Sequence, residues 1–206
     1  MTVVIDYGAG NLRSVENALK MVGAEFRVTE KPEEVYAADK VIFPGVGEAS
    51  SSMKKLIKGG LDKALKDFAV SGKPFLGICL GCQIILDRSE EAETPCLGII
   101  PGNVRLFPSG LGLKVPHMGW NSLHLEKPDP LFHGIPEGAD FYFVHSYYPQ
   151  PRDSETLLAT CTYGLPFSAG FRKGNVYGFQ FHPEKSGPYG LTLLRNFIAL
   201  KEPESC

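Results

Sequence analysis

Residues 73–87, KPFLGICLGCQIILD, decide how this chain reads. Phe75 to Ile78 is an apolar run, a second apolar run follows Gln83, and Gly77-Ile78-Cys79-Leu80-Gly81 lies between them. This is the pattern of a buried strand that turns sharply into a helix. Such a turn exposes its central side chain at the carboxyl edge of a sheet, with flanking glycines making room; it is the Gly-x-Ser-x-Gly elbow with cysteine in place of serine. A helix N-terminus favours the thiolate, the reactive form of Cys79, and the Leu80 N–H can point at a developing oxyanion. A second reading competes. Cys79 and Cys82 stand in a Cys-x-x-Cys spacing, which suits a redox or metal pair.

Working outward, the N-terminal half alternates strand and helix signals. TVVIDYG (2–8) is a short apolar run ending in Asp and Gly, and Leu12, Val15, Leu19 and Val22 then recur at helical steps before Gly23. EFRV (25–28) reads as a strand, KPEEVYAAD (31–39) as a helix start with Pro and two Glu, and KVIFPGVG (40–47) as a strand running into a glycine-rich turn. Met53, Leu56, Ile57, Leu61, Leu65 and Phe68 predict helical material up to Gly72. A β-α-β-α order predicts an α/β fold with a mostly parallel central sheet flanked by helices. Ligands of such sheets sit beyond the carboxyl ends of the strands, which points to Tyr7–Asn11, Pro44–Gly47 and Cys79–Gln83. From about 98 to 182 short β-like runs separated by Gly and Pro predict an additional antiparallel region, with a hairpin at RKGN (172–175). A last helix over 189–201 places Leu191, Leu194, Phe197 and Ile198 on one face. No repeat or linker interrupts the chain, so one domain over 1–206 is expected.

Composition narrows the function. Hydrophobic residues at 43% and charged residues at 21% are ordinary for a globular protein, and a net charge of −2 without a basic run gives no footprint for nucleic acid. No apolar stretch is long enough to span a membrane, and the start reads as a first strand, not a signal peptide. Cys79, Cys82, Cys96, Cys161 and Cys206 form no secreted disulfide pattern and predict a reducing cytoplasm. Cys96 and Cys161 read as small hydrophobes and Cys206 as a terminal thiol.

A nucleophilic cysteine needs a base, and the base an orienter. His182 ends an alternating strand in YGFQFHPEKS, Pro183 stops that strand, and Glu184 can then hold the imidazole. Of the other histidines, His145 in FYFVHSYY reads as a sheet histidine or a substrate contact, His124 as an exposed strand position, and His117 and His133 as loop residues. None has metal-ligand spacing with the cysteines, so no metal and no cofactor are expected. FPGVG (43–47) reads as a plain β-to-α turn or as a backbone oxyanion donor facing Cys79; it lacks the Lys-Ser/Thr ending of a phosphate loop.

PGVG (44–47), GICLGCQ (77–83) and FQFHPEKS (179–186), in this order, resemble the triad (class I) glutamine amidotransferases over nearly the whole chain. IDYGAGNLRSVENAL, PHMGWNSL, FYFVHSYY and HPEKSG look like the branch that serves as glutaminase subunit of imidazole glycerol phosphate synthase in histidine biosynthesis. Another triad amidotransferase subunit, such as that of anthranilate synthase, is the alternative. The resemblance implies a class I glutamine amidotransferase-like (flavodoxin-like) fold and a Cys79–His182–Glu184 triad that hydrolyses L-glutamine through a thioester. It implies oxyanion donors at Leu80 and in Gly45–Val46, the latter after a peptide flip. Gly47, Gln83, His145, Ser146 and Tyr147 would line the glutamine pocket. A (β/α)8-barrel cyclase subunit would receive the ammonia through a channel, forming imidazole glycerol phosphate and AICAR. Asn11, Met118, Trp120, Tyr142 and Lys185 are the interface candidates, with Trp120 in a Gly-flanked loop as anchor. The family usually has Met where this chain has Cys82, so the Cys-x-x-Cys spacing is accidental on this reading.

Overall fold

The computed structural model describes residues 1–8, 12–110 and 112–200. Its N-terminal half follows the predicted alternation: β1 (Thr2–Ile5), α1 (Leu12–Met21), β2 (Phe26–Thr29), α2 (Pro32–Tyr36), β3 (Lys40–Gly45), α3 (Ala49–Gly59), α4 (Leu61–Val70), β4 (Phe75–Cys79) and α5 (Leu80–Ile84). The helical material before Gly72 is broken once, at Gly60, whose φ of 70° ends α3 and starts α4. Only glycine adopts that left-handed conformation without strain.

The second half is a series of strands: β5 (Arg88–Ser89), β6 (Thr94–Pro95), β7 (Gly102–Leu106), β8 (His117–Ser122), β9 (His124–Leu125), β10 (Asp140–His145), β11 (Tyr147–Pro151), β12 (Leu157–Tyr163), β13 (Leu165–Lys173) and β14 (Val176–Phe179). The chain then enters α6 (Gly187–Ala199). Among the described residues the main sheet has the order β2-β1-β3-β4-β14-β13-β12-β9. It is parallel from β2 to β14 and antiparallel from β14 to β9. The expected hairpin at 172–175 joins β13 to β14, with Lys173 opposite Val176. Smaller sheets, β11-β7-β5-β6 and β10-β8, stand beside it. This is the mixed α/β architecture that the sequence predicts.

Strand parity builds the two layers around the parallel half. Val3, Ile5, Val41, Phe43 and Phe75 pack with Leu56, Leu61, Leu65 and Phe68 of α3 and α4. Their neighbours Val4, Ile42, Leu76 and Ile78 pack on the other side with Val15 and Leu19 of α1 and Leu193, Leu194 and Phe197 of α6. Each of these strands is apolar at consecutive positions because both of its faces are covered. Fully burying such a side chain is worth roughly 1.5–3 kcal/mol. The inner face of α6 is centred on Leu193, Leu194 and Phe197; Leu191 and Ile198, expected on that face, flank it half-buried.

One pairing positions the site. β14 comes late in the chain but lies parallel to β4, with Phe179 beside Ile78, while β3 lies on the other side with Gly45 beside Cys79. The residues following Phe179 therefore emerge next to Cys79 at the carboxyl end of the sheet.

Candidate active site

Cys79 is the hinge between β4 and α5 and adopts φ 53°, ψ −111°, a strained backbone for a residue with a β-carbon. The helix doubles back so tightly that its neighbours must be glycine. A β-carbon on Gly77 would stand 3.0 Å from the Cys82 backbone, and one on Gly81 would overlap the Phe43 carbonyl of β3. The glycines thus serve close packing, while the cysteine carries the strain. Gly45 is restricted in the same way, by the hydroxyl of Tyr7, whereas Gly47 takes a left-handed φ of 96°.

His182 and Glu184 arrive from the end of β14. Proline at 183 starts a single 3-10 turn (Pro183–Lys185), which brings Glu184 back onto its neighbour. Glu184 Oε1 lies 2.7 Å from His182 Nδ1, and both side chains are almost wholly buried. His182 Nε2 is buried as well, without a hydrogen-bond partner among the described residues. Burial disfavours a charged imidazole, but the Cys79 sulfur and the Glu184 carboxylate outweigh it and push His182 up to about 10. An imidazole set between a sulfur and a carboxylate is placed to exchange a proton with the one while the other steadies it.

A pocket of about 420 Å³ opens above this group, lined by Val46, Gly47, Cys79, Leu80, Gln83, His145, Ser146, Tyr147 and His182, with Glu91, Pro116 and Val144. The structure thus brings the candidate nucleophile, base and glutamine-pocket residues to one cavity. Val46 and Leu80 line it together with Cys79, while Gly45 is not among its lining residues and pairs with Cys79 in the β3–β4 ladder. Glu91, which the sequence does not single out, accepts the Ala49 N–H at 2.7 Å and so ties the pocket wall to the start of α3.

Two readings of the sequence need correction. His117 is no loop residue. It opens β8, lies opposite His145 of β10, and is buried with its Nδ1 2.9 Å from His145 Nε2. The surroundings settle the protons: His145 Nδ1 donates to the Tyr147 carbonyl (2.8 Å), so its Nε2 accepts from His117 Nδ1, and His117 Nε2 accepts from Asn121 Nδ2 (3.3 Å). Burial pushes both histidines down, His117 to about 4 and His145 to about 3, so both are neutral. Trp120 is likewise in β8, not in a loop. It is 56% exposed beside Met118 at 63%, and its ring meets Tyr142 edge-on at 6.2 Å. Lys185 Nζ lies 5.7 Å from the same Tyr142 ring. Met118, Trp120, Tyr142 and Lys185 therefore form one patch, and Asn11 lies outside the described residues. His124 is exposed and paired with Glu137, as its strand position suggested.

Cys82 is wholly buried in α5 and its thiol is held well above the usual range by desolvation. It is a packing residue with an inert sulfur, and Cys79, Cys82, Cys96 and Cys161 are all free thiols. The sequence reading passed over Gln180. It is fully buried, with Oε1 2.8 Å from Gln83 Nε2 and Nε2 3.7 Å from Cys79 Sγ. Its signal was parity: two residues before His182 on an extended strand, it faces the same way.

The family model for glutamine amidotransferase class-I matches residues 3–200. The chain belongs to the class I glutamine amidotransferases. Among full-length relatives, the imidazole glycerol phosphate synthase subunit HisH of Nitratidesulfovibrio vulgaris is 51% identical, covering 97% of this chain and 96% of its own. The protein of the same name from Desulfitobacterium hafniense is 52% identical (96% and 93% covered), and that from Methanosarcina mazei 51% (96% and 98%). Solved structures share the amidotransferase fold at lower identity. A glutamine amidotransferase superposes with a TM-score of 0.70 at 23% identity, covering 95% of this chain and 96% of that one. PurLQS from Thermotoga maritima does so with 0.71 at 20% identity, covering 95% and 96%. Within a class I amidotransferase, a strained cysteine at a helix start beside a buried His–carboxylate pair has the parts needed to split a carboxamide.

Proposed function

We propose that this chain is the glutaminase subunit of an imidazole glycerol phosphate synthase in histidine biosynthesis, working as one amidotransferase domain in the cytoplasm. The observation that carries this reading is identity of about one half, over nearly the full length, to relatives bearing that subunit's name.

In the proposed mechanism the Cys79 thiolate attacks the carboxamide carbon of L-glutamine. Leu80 N–H, with an N–H of the Gly45–Val46 segment, receives the oxyanion. His182 passes its proton to the departing nitrogen, leaving ammonia and a γ-glutamyl thioester on Cys79. His182 then takes a proton from water as it attacks the thioester carbon, the C–S bond breaks, glutamate leaves, and the starting pair of Cys79 thiolate and protonated His182 is restored. Glu184 orients the imidazole through the Nδ1 contact of 2.7 Å. Gly47, Gln83, His145, Ser146 and Tyr147 hold glutamine in the pocket.

Ammonia released into water near neutral pH is mostly protonated and no longer nucleophilic, so it is delivered to a partner, a (β/α)8-barrel cyclase. The exposed patch of Met118 and Trp120, with Tyr142 and Lys185, is the proposed docking surface; aromatic side chains of this kind commonly anchor interfaces. Cys79→Ala in the assembled complex tests the division of labour. The variant is expected to lose glutamine-dependent synthesis of imidazole glycerol phosphate and to keep synthesis from added ammonium salts. Loss of both, with the complex intact, would overturn the reading.

A further inference from the structure

We infer that Gln180 is a catalytic residue whose buried amide donates a hydrogen bond to the Cys79 sulfur and holds it as the thiolate. The inference rests on the reading of Cys79 as the nucleophile and assigns a second group that activates it.

The orientation of the amide follows from a backbone carbonyl that can only accept. Tyr147 O receives His145 Nδ1 at 2.8 Å and Gln83 Nε2 at 2.9 Å. This fixes the Gln83 side chain with its NH2 group inward. The same NH2 group donates to Gln180 Oε1 at 2.8 Å. Gln180 must therefore turn its carbonyl to Gln83, and its own NH2 group is left facing Cys79 Sγ at 3.7 Å, within reach of a large, soft sulfur acceptor. A reversed Gln180 would set two NH2 groups against each other and place a carbonyl oxygen against the sulfur. Gln180 is fully buried and Gln83 nearly so, so solvent cannot relieve such a mismatch.

The backbone holds this donor in place. Phe179 lies beside Ile78 in the β14–β4 register, and Gln180 N–H donates to Ala169 O at 2.9 Å. Phe179 and Phe181 stack at 4.9 Å and are both fully buried, while Gln180 and His182 face the elbow. One strand end thus presents two groups to Cys79, a neutral dipole and, two residues later, an imidazole. A donor to the charged form of a group favours that form. A fixed dipole needs no reorganisation when the sulfur attacks or when it departs from the thioester.

The test is the pH dependence of Cys79 alkylation by iodoacetamide in the full chain, with Cys79→Ala subtracting the other four cysteines. Gln180→Met keeps the length and removes the donors. Its alkylation midpoint is expected to rise by about one pH unit, with kcat for glutamine hydrolysis reduced roughly tenfold and KM little changed. Gln180→Glu keeps an acceptor for Gln83 Nε2 and replaces the donor with an acid, so it decides the matter if the methionine variant does not fold; its midpoint is expected to rise further. An unchanged midpoint in a folded variant overturns the inference while leaving Cys79 as nucleophile. Hydrolysis retained in Cys79→Ala overturns the reading of the nucleophile, and the role of Gln180 with it.

Discussion

Two buried histidines, His182 and His145, line one pocket and have been driven in opposite directions. At one end His182 sits between the Cys79 sulfur and the Glu184 carboxylate, and it is held protonated, up to about 10. At the other end, among the described residues, His117 and His145 bond to each other, an amide and a carbonyl, and burial holds them neutral, down to about 4 and about 3. Burial is common to both ends; the partners decide the sign. A histidine facing anions can give a proton to a leaving group. A neutral histidine chained to a carbonyl can fix the wall of a pocket but has no proton to spare.

That contrast breaks first under substitution. His182→Asn is expected to reduce glutamine hydrolysis on the order of 10⁴-fold or more, because it removes the proton carrier. Glu184→Gln, which leaves the imidazole but loses its anionic orienter, should fall by about 10²–10⁴-fold. His145→Gln should lower kcat/KM by roughly tenfold, mainly through KM, because it frees the Tyr147 segment and not the proton path. Steady-state kinetics on the three variants orders them, and a His145 variant as damaged in kcat as the His182 variant would erase the distinction.

The smallest effect is on acid stability. His117 and His145 titrate far lower folded than unfolded, so the unfolded chain takes up their protons first as pH falls below about 6.5. The stability tied to their neutrality is fully present above that pH and is lost progressively on acidification towards about 4 and about 3. Urea titrations from pH 7 to 4 should show this loss in the wild type and a flatter slope in His117→Gln/His145→Gln. Equal slopes would contradict the assignment of both imidazoles as neutral.

How much of this was legible in the sequence depended on distance along the chain. The elbow could be read because strand, glycines and cysteine lie within a few residues; the close approach at Gly77 is made by the local turn, whereas that at Gly81 is made by Phe43 of the adjacent strand β3. His182–Pro183–Glu184 was equally local. His117 was misread because Pro116 and Gly119 beside it suggest a loop, whereas its place is set by pairing with β10, register that no local signal carries. Trp120 shared that error for the same reason. Gln180 carried a usable signal, its parity with His182, but its orientation depends on Gln83 and the Tyr147 carbonyl, which only folding brings to it. The inertness of Cys82 follows from full burial, which spacing alone cannot report.

The central claim is that Cys79, and not the Cys79–Cys82 pair, performs the chemistry. The most direct test is to treat the chain with an electrophilic glutamine analogue such as 6-diazo-5-oxo-L-norleucine and locate the adduct by peptide mass spectrometry. A single adduct on Cys79, protected by glutamine, abolished in Cys79→Ala and retained in Cys82→Ser, is the predicted result. An adduct on Cys82, or labelling that survives Cys79→Ala, would contradict it.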